Sequence, residues 1–169
     1  MDTVILSIDF DEGTHILMHH MLTLGRHLES PRREIAFSHM ATFFAETSLD
    51  YSDYIEDWVQ LCIYSLEDSD EKVVKASWTC LNSLVKAQTK DVLEELVKPA
   101  RQALKTTCVT GQELAGFALP KGPSCVLPIF LQGLMYGSNE NREVAAFGIA
   151  DVVERTSAAN LKPFVTQIT

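Results

Sequence analysis

The densest group of potential metal ligands lies near the start of the chain, where His15, Met18, His19, His20 and Met21 cluster. His15 and His19, four residues apart, share one face of a helix and have the spacing of a two-point clamp. Zinc hydrolases built on such a pair place a glutamate directly after the first histidine, and Ile16 stands there instead. Without a third ligand the pair reads as surface or interhelical histidines. Cys80 and Cys125 are the thiols to weigh as nucleophiles, but nothing beside them in sequence would lower a thiol pKa. Glu94 with Glu95, and Asp9 with Asp11 and Glu12, read as solvated faces and not as acid–base dyads. Gly111 and Gly116 lack phosphate-loop spacing, and Lys121 is followed by Gly122 where that loop needs Ser or Thr. The sequence assigns no catalytic, cofactor-binding or metal-binding residue, and the expectation is a protein that is not an enzyme.

Charge and cysteine usage narrow the class further. A formal net charge of −9 over 169 residues argues against direct DNA binding, because phosphate contacts need concentrated Lys and Arg. The same charge keeps a helical array soluble and leaves basic proteins open as partners. Cys62, Cys80, Cys108 and Cys125 are irregularly spaced and read as reduced core thiols of an intracellular protein. No apolar run approaches the ~18 residues that span a bilayer, and the first 13 residues lack the basic start of a signal peptide. A cytoplasmic protein without membrane contact is the expectation.

The elements that must carry these residues are helical. Residues 54–66 place Tyr54, Ile55, Trp58, Val59, Cys62, Ile63 and Leu66 on one stripe, with Glu56, Asp57 and Gln60 opposite. A short polar turn follows, with Ser69 or Asp70 as N-cap, and a second helix to about residue 87 buries Val74, Ser77, Leu81, Leu84 and Val85. Helices joined by so short a turn pack antiparallel. Residues 91–106 form a further amphipathic helix, which Pro99 should kink. The next helix is shortened or replaced by a loop, because residues 110–122 hold three glycines and a proline. Regularity resumes with helices over 123–135 and 142–156. At the start of the chain, residues 14–28 and 31–47 read as a further helix pair. Trp58, Trp78, Phe43, Phe44 and Phe130 lie on or beside apolar stripes and read as core, whereas Tyr51 and Tyr136 near turns are candidates for an interaction surface. Leu131, in the stripe of 123–135, is expected to sit between helices, so that Leu131→Asp would destabilise strongly.

The chain also repeats. Residues 33–48 (REIAFSHMATFFAETS) align without a gap on residues 142–157 (REVAAFGIADVVERTS), identical at six of sixteen positions and displaced by 109. A middle copy around residues 65–88 divides that displacement into three units of roughly 36 residues, close to the length of two-helix solenoid repeats. The expected fold is therefore all-α, a HEAT-type superhelix of about four antiparallel pairs plus a partial one. Its repeats are expected at 12–48, 51–88, 91–119 (degenerate), 122–157 and from 160 onward, in one array over 1–169. Arg33, Lys72 and Arg142 follow the turns where HEAT repeats carry the basic half of an acid–base ladder. The last helix lacks a partner, so the piece reads as cut from a longer array. An apolar face exposed there would favour self-association in isolation.

One stretch is more specific than a repeat consensus. Residues 119–122 (LPKG), 127–134 (LPIFLQGL), 142–151 (REVAAFGIAD) and 161–165 (LKPFV) form a run that closely resembles the C-terminal half of the general control nonderepressible protein one family. The resemblance extends from about residue 30 to 169. It implies a HEAT scaffold that associates with ribosomes. It further implies activation of the starvation-responsive kinase of initiation factor two alpha, and an ATP-binding-cassette partner of the full-length protein. No partner-binding residue follows from it. A HEAT segment of a nuclear transport receptor or phosphatase scaffold, and a small metal-dependent or thiol enzyme, are the competing readings.

Overall fold

A computed structural model describes residues 11–107 and 112–169 of the chain. Among the described residues the regular structure is entirely helical. The helices are α1 (Asp11–Gly25), α2 (Ser30–Glu46), α3 (Ile55–Ser65), α4 (Glu71–Ala87), α5 (Lys90–Glu95), α6 (Val97–Thr106), α7 (Leu127–Tyr136), α8 (Asn139–Glu154), α9 (Ala158–Leu161) and α10 (Val165–Ile168). Short 3-10 turns occupy Ser52–Tyr54, Ala115–Ala118, Gly122–Cys125 and Lys162–Phe164. The fold is an α-solenoid.

Local chemistry starts the helices. The Asp70 carboxylate accepts the Lys72 N–H at 2.9 Å, Ser138 Oγ accepts the Asn141 N–H at 3.2 Å, and Ser157 Oγ accepts the Asn160 N–H at 3.4 Å. Each cap satisfies one of the donors that a helix start leaves unpaired. Ser138 acts four residues ahead of the expected start of the second repeat copy, so α8 takes in residues 139–141. Pro31 and Pro128 sit in the first turns of α2 and α7, where no N–H is needed.

The expected helix over 91–106 is two helices. Pro99 has no N–H to return to the Glu95 carbonyl, and the chain turns at Leu96 between α5 and α6. The last segment breaks in the same way, around Lys162 and Pro163. The helix expected over 123–135 begins only at Leu127, because Gly122–Cys125 winds as a 3-10 turn.

Two layers result. First helices pack on first helices, α3 on α6 and α5 on α7, while α2 and α4 share the most extensive contact in the other layer. Within pairs, α1 meets α2, α3 meets α4 and α7 meets α8. Where a third second-layer helix would lie, the turns Ala115–Ala118 and Gly122–Cys125 rest on α4, and α8 packs on α6 as well as on α7. The core runs without interruption through Phe37, Phe43, Phe44, Trp58, Phe117 and Phe130, all buried. Trp58 meets Phe37 and Phe44 edge-on, at 6.2 and 5.7 Å between ring centroids, the geometry that aromatic quadrupoles favour.

Leu131 on α7 departs from its expected place between helices. Leu127, Ile129, Phe130 and Gly133 are buried, and Leu131 is half-buried at the core's edge. Gly133 and Gly148 let α7 approach α8 closely. A Cβ on Gly148 would stand 2.4 Å from Phe130 Cε1 and 2.5 Å from Cδ1. Gly148→Ala is therefore expected to lower stability by about 1 kcal/mol or more in urea denaturation, overpacking outweighing alanine's better helix propensity. A stabilised variant would show that the ring moves aside freely.

The acid–base ladder exists in part. Arg33 grips Asp68 with two hydrogen bonds, Nε to Oδ2 at 2.8 Å and Nη2 to Oδ1 at 2.9 Å, tying α2 to the turn before α4. Lys72 contributes its backbone N–H to the Asp70 cap, and Arg142 is exposed. Further along, Arg101 Nε meets Asp151 at 3.3 Å across α6 and α8, and Lys98 meets Glu140 at 2.7 Å.

Candidate interaction surface

The segment that replaces the missing helix is held from both sides. Leu114 and Phe117 are buried and fill the gap between the layers. The Gly116 N–H donates to the Leu66 carbonyl at 2.8 Å, so close that a Cβ would collide with the Leu66 side chain. On the other flank the Leu114 N–H reaches the Arg155 carbonyl at 3.0 Å. Trp78, expected beside the core stripe, donates its indole Nε1–H to the Gly122 carbonyl at 2.8 Å. Glu113 Oε1 accepts the Ser157 N–H at 2.9 Å and Asn160 Nδ2 at 2.8 Å.

Those bonds to Asn160 and then to the Ser157 N–H hold the Glu113 carboxyl below its ordinary range. A group depressed on folding stabilises above its unfolded pKa, and that contribution is lost as pH falls through the lower folded value. Wild type is therefore expected to be more stable than Glu113→Gln at neutral pH, the gap closing once pH drops well below ~4.3, the usual glutamate value. Thermal melts of both proteins from pH 7 to pH 3 check this, and a gap independent of pH would contradict it.

Beyond this brace the segment makes a tight turn. Gly122 N–H donates to the Leu119 carbonyl at 2.8 Å. Between them, Lys121 adopts φ 68° and ψ −3°, the dihedrals of the third residue of a type II turn, a position that favours glycine. Among the described residues Lys121 alone, apart from glycine, has a positive φ. Gly122 follows at φ 35°, where a Cβ would meet the Phe117 carbonyl oxygen at 2.6 Å. The turn faces the start of the last helical segment. Leu119, Pro120 and Lys121 on one side, with Asn160, Pro163 and Phe164 on the other, enclose a cleft of about 490 Å³. Two parts of the LPKG…LKPFV run, forty residues apart in sequence, thus form opposite walls of one concavity.

Two shallower grooves lie between neighbouring helices. One runs between α2 and α4, lined by Ser38, Thr42, Lys72 and Lys75. The other lies between α6 and α8, lined by Lys98, Arg101, Lys105 and Val144, with the Arg101 guanidinium 4.7 Å over the exposed Phe147 ring. Charge is divided unevenly: residues 1–70 hold three Lys and Arg against fourteen Asp and Glu, and residues 71–169 hold eleven against nine. The cleft and the α6–α8 groove lie in the less acidic part, where acidic partners meet less repulsion. The α2–α4 groove draws half its lining, Glu34 included, from the acidic part.

The residues singled out for chemistry do not converge. Met18 and Met21 are buried in the core, while His15, His19 and His20 are exposed. His15 Nδ1 forms a 2.7 Å hydrogen bond with the Tyr54 hydroxyl, tying α1 to the 3-10 turn that leads into α3. Among the described residues no three His, Cys, Asp or Glu side chains are grouped to hold a metal ion. Cys62, Cys80 and Cys125 are buried free thiols, and burial pushes the Cys62 and Cys125 thiols well up, opposite to the shift a nucleophile needs. Glu94 accepts from Gln132 at 3.3 Å, and Glu95 is exposed. Asp9 and Cys108 lie outside the described residues, as do the side chains of Asp11 and Glu12. Tyr51 is half-buried against Phe43 and Phe44, its hydroxyl accepting from Gln88 Nε2 at 3.1 Å, which gives it a packing role. Tyr136 remains on the surface with Lys90 5.7 Å over its ring. The left-handed turn at Lys121 and the bonds made by Glu113 and Trp78 had no place in the sequence reading, although Pro-Lys-Gly is a turn signal.

The braced cleft and grooves give the solenoid surfaces open to other molecules, and known proteins show which kind of solenoid it is. A family model described as "Stalled ribosome sensor GCN1-like, HEAT repeats" matches residues 1–121. The chain belongs to this family. A GCN1 protein of Saccharomyces cerevisiae named "eIF-2-alpha kinase activator GCN1" is 48% identical over all 169 residues. The mouse "Stalled ribosome sensor GCN1" is 33% identical over 98% of the chain, and the Arabidopsis thaliana "Protein ILITYHIA" is 34% identical over 99%. The chain spans about 6% of the length of each. The GCN1 match takes in residues 1–29, beyond the stretch on which the sequence resemblance rested. It also decides among helical scaffolds, against a transport receptor or phosphatase scaffold. The matched family is described by HEAT repeats, in agreement with the helical solenoid. No helix among the described residues is long and apolar enough to cross a membrane.

Proposed function

We propose that this chain is a non-catalytic docking segment of a cytoplasmic, ribosome-associated activator of the eIF-2-alpha kinase. Its repeats, at 12–48, 51–88, 91–119, 122–157 and from 160, would act as one array presenting a continuous surface to protein partners. The observation that carries the reading is identity along the whole chain to a protein named as activator of that kinase, 48% without a gap in coverage. Support comes from the chemistry of the surface. Its polar and charged groups are arranged for contact and bracing, and burial holds the Cys62 and Cys125 thiols protonated. The kinase and the ATP-binding-cassette protein are partners of the full-length molecule in this reading, and the ribosome is the one this segment would meet.

The test uses the full-length protein with Lys98→Glu and Lys105→Glu together, both exposed on the α6–α8 groove. Reduced cosedimentation with ribosomes, and reduced phosphorylation of eIF-2-alpha on amino-acid starvation at unchanged protein abundance, is the expected result. Unchanged values after equivalent reversals on the α2–α4 groove as well would make the segment a spacer and end the docking reading.

A further inference from the structure

We propose that the cleft between the turn at residues 119–122 and residues 160–164 docks an extended peptide of a partner protein in which a carboxylate side chain stands between apolar ones. The proposal rests on the scaffold reading and names the partner chemistry of one place on it. The walls supply the first argument. Leu119, Pro120, Pro163 and Phe164 offer apolar surface, Asn160 a side-chain amide, and Lys121 the one charge. Among the described residues no carboxylate lines the cleft, in a chain with nine more acidic than basic residues. The nearby Glu113 is already engaged by Ser157 and Asn160. A lone cation beside apolar walls matches one carboxylate flanked by apolar groups. A nucleic-acid backbone would require several cations along its path.

The backbone supplies the second argument, independent of the first. Lys121 occupies a left-handed conformation that costs an L-residue about tenfold or more in equilibrium against glycine. Its side chain is exposed, so packing does not repay the strain. What the lysine provides is an ammonium group at a fixed point on the rim. That point is fixed because the turn is closed by the Leu119–Gly122 hydrogen bond and anchored by Trp78 on the Gly122 carbonyl. Phe117 adds to this by packing its carbonyl against Gly122. A rim already ordered before binding loses little entropy when a peptide arrives.

Lys121→Gly separates this role from a structural one, because glycine suits the turn and lacks the cation. The full-length protein, wild type and variants, would be titrated by fluorescence anisotropy with a fluorescein-labelled nonapeptide alternating Leu and Phe with Asp and Glu. The same peptide with Asn and Gln replacing the acids, and a uridine-rich RNA of equal length, serve as further probes. The acidic peptide is expected to bind wild type and Lys121→Arg alike and Lys121→Gly about tenfold more weakly. The Lys121→Gly melting point should be equal or higher. The amide peptide should bind every form weakly. Several results would overturn the proposal. These are equal affinity of wild type and Lys121→Gly for the acidic peptide, no binding at all, a lower melting point for Lys121→Gly, or Lys121-dependent binding of the RNA alone. Ribosome cosedimentation of the same proteins is read in parallel. Failure of the peptide with wild type still on ribosomes rejects this site and leaves the scaffold reading standing.

Discussion

Replacing Phe130 with alanine is expected to lower the unfolding free energy by about 3–5 kcal/mol, the usual cost of emptying a buried aromatic site. Phe130 is fully buried on α7, and its ring lies against the bare backbone of Gly148 on α8. Neighbours can relax only partly into the void, because α7 and α8 are already held at close range by Leu127, Ile129, Ala145, Ile149 and Val152. Urea denaturation of the variant checks the figure, and a loss below about 1 kcal/mol would show that the helix pair collapses around the gap. Leu131→Asp is the instructive comparison. Leu131 is half-buried at the edge of the same cluster, so its carboxylate can turn toward water and the cost should be smaller than that of Phe130→Ala.

The second large effect is expected at Arg33. Its guanidinium makes two bonds to Asp68 and two more, both 2.8 Å, to the carbonyls of His27 and Leu28. The two charged side chains are only 16% and 10% exposed. Arg33→Ala strands a mostly buried carboxylate and two carbonyls at once, and should cost about 2–4 kcal/mol. Arg33→Lys should rescue little, since an ammonium cannot reproduce the planar fork. A double-mutant cycle with Asp68→Ala should give a coupling of at least 1 kcal/mol, roughly. The exposed Glu71–Lys75 pair is the control, and its removal should change stability by no more than about 0.5 kcal/mol. If Arg33 and that surface pair prove equivalent, the link between α2 and the turn before α4 is decorative.

Much of the architecture could be read from periodicity alone. The stripe Val74, Ser77, Leu81, Leu84, Val85 is buried as its spacing demands, and Asp70 caps α4. Pro99 disturbs its helix for the reason stated from sequence, and goes further by dividing it. What escaped was cross-chain chemistry. Arg33, Lys72 and Arg142 occupy like positions after their turns, yet Arg33 alone of the three grips a carboxylate there, because Asp68 happens to face it. The Trp78 bond to Gly122 and the Glu113 bond to Ser157 each span 44 residues. Helical spacing has no signature for such partners. The conformation of Lys121 was hidden for another reason: its unusual φ is imposed by the surrounding brace, not by a local preference of lysine.

That brace has a consequence for how the array comes apart. In a stack of repeats, units normally feel only their nearest neighbours, so unfolding spreads like a zipper and the ends open first. Here residues 113–122 are bonded backwards to Leu66 and Trp78 and forwards to Arg155, Ser157 and Asn160. The segment skips over the vacant position and couples the pair α3–α4 to the pair α7–α8. Pulling either flank open breaks contacts on both. The least regular part of the array should therefore be the place where its cooperativity is transmitted, and these repeats should melt together as one block instead of one by one.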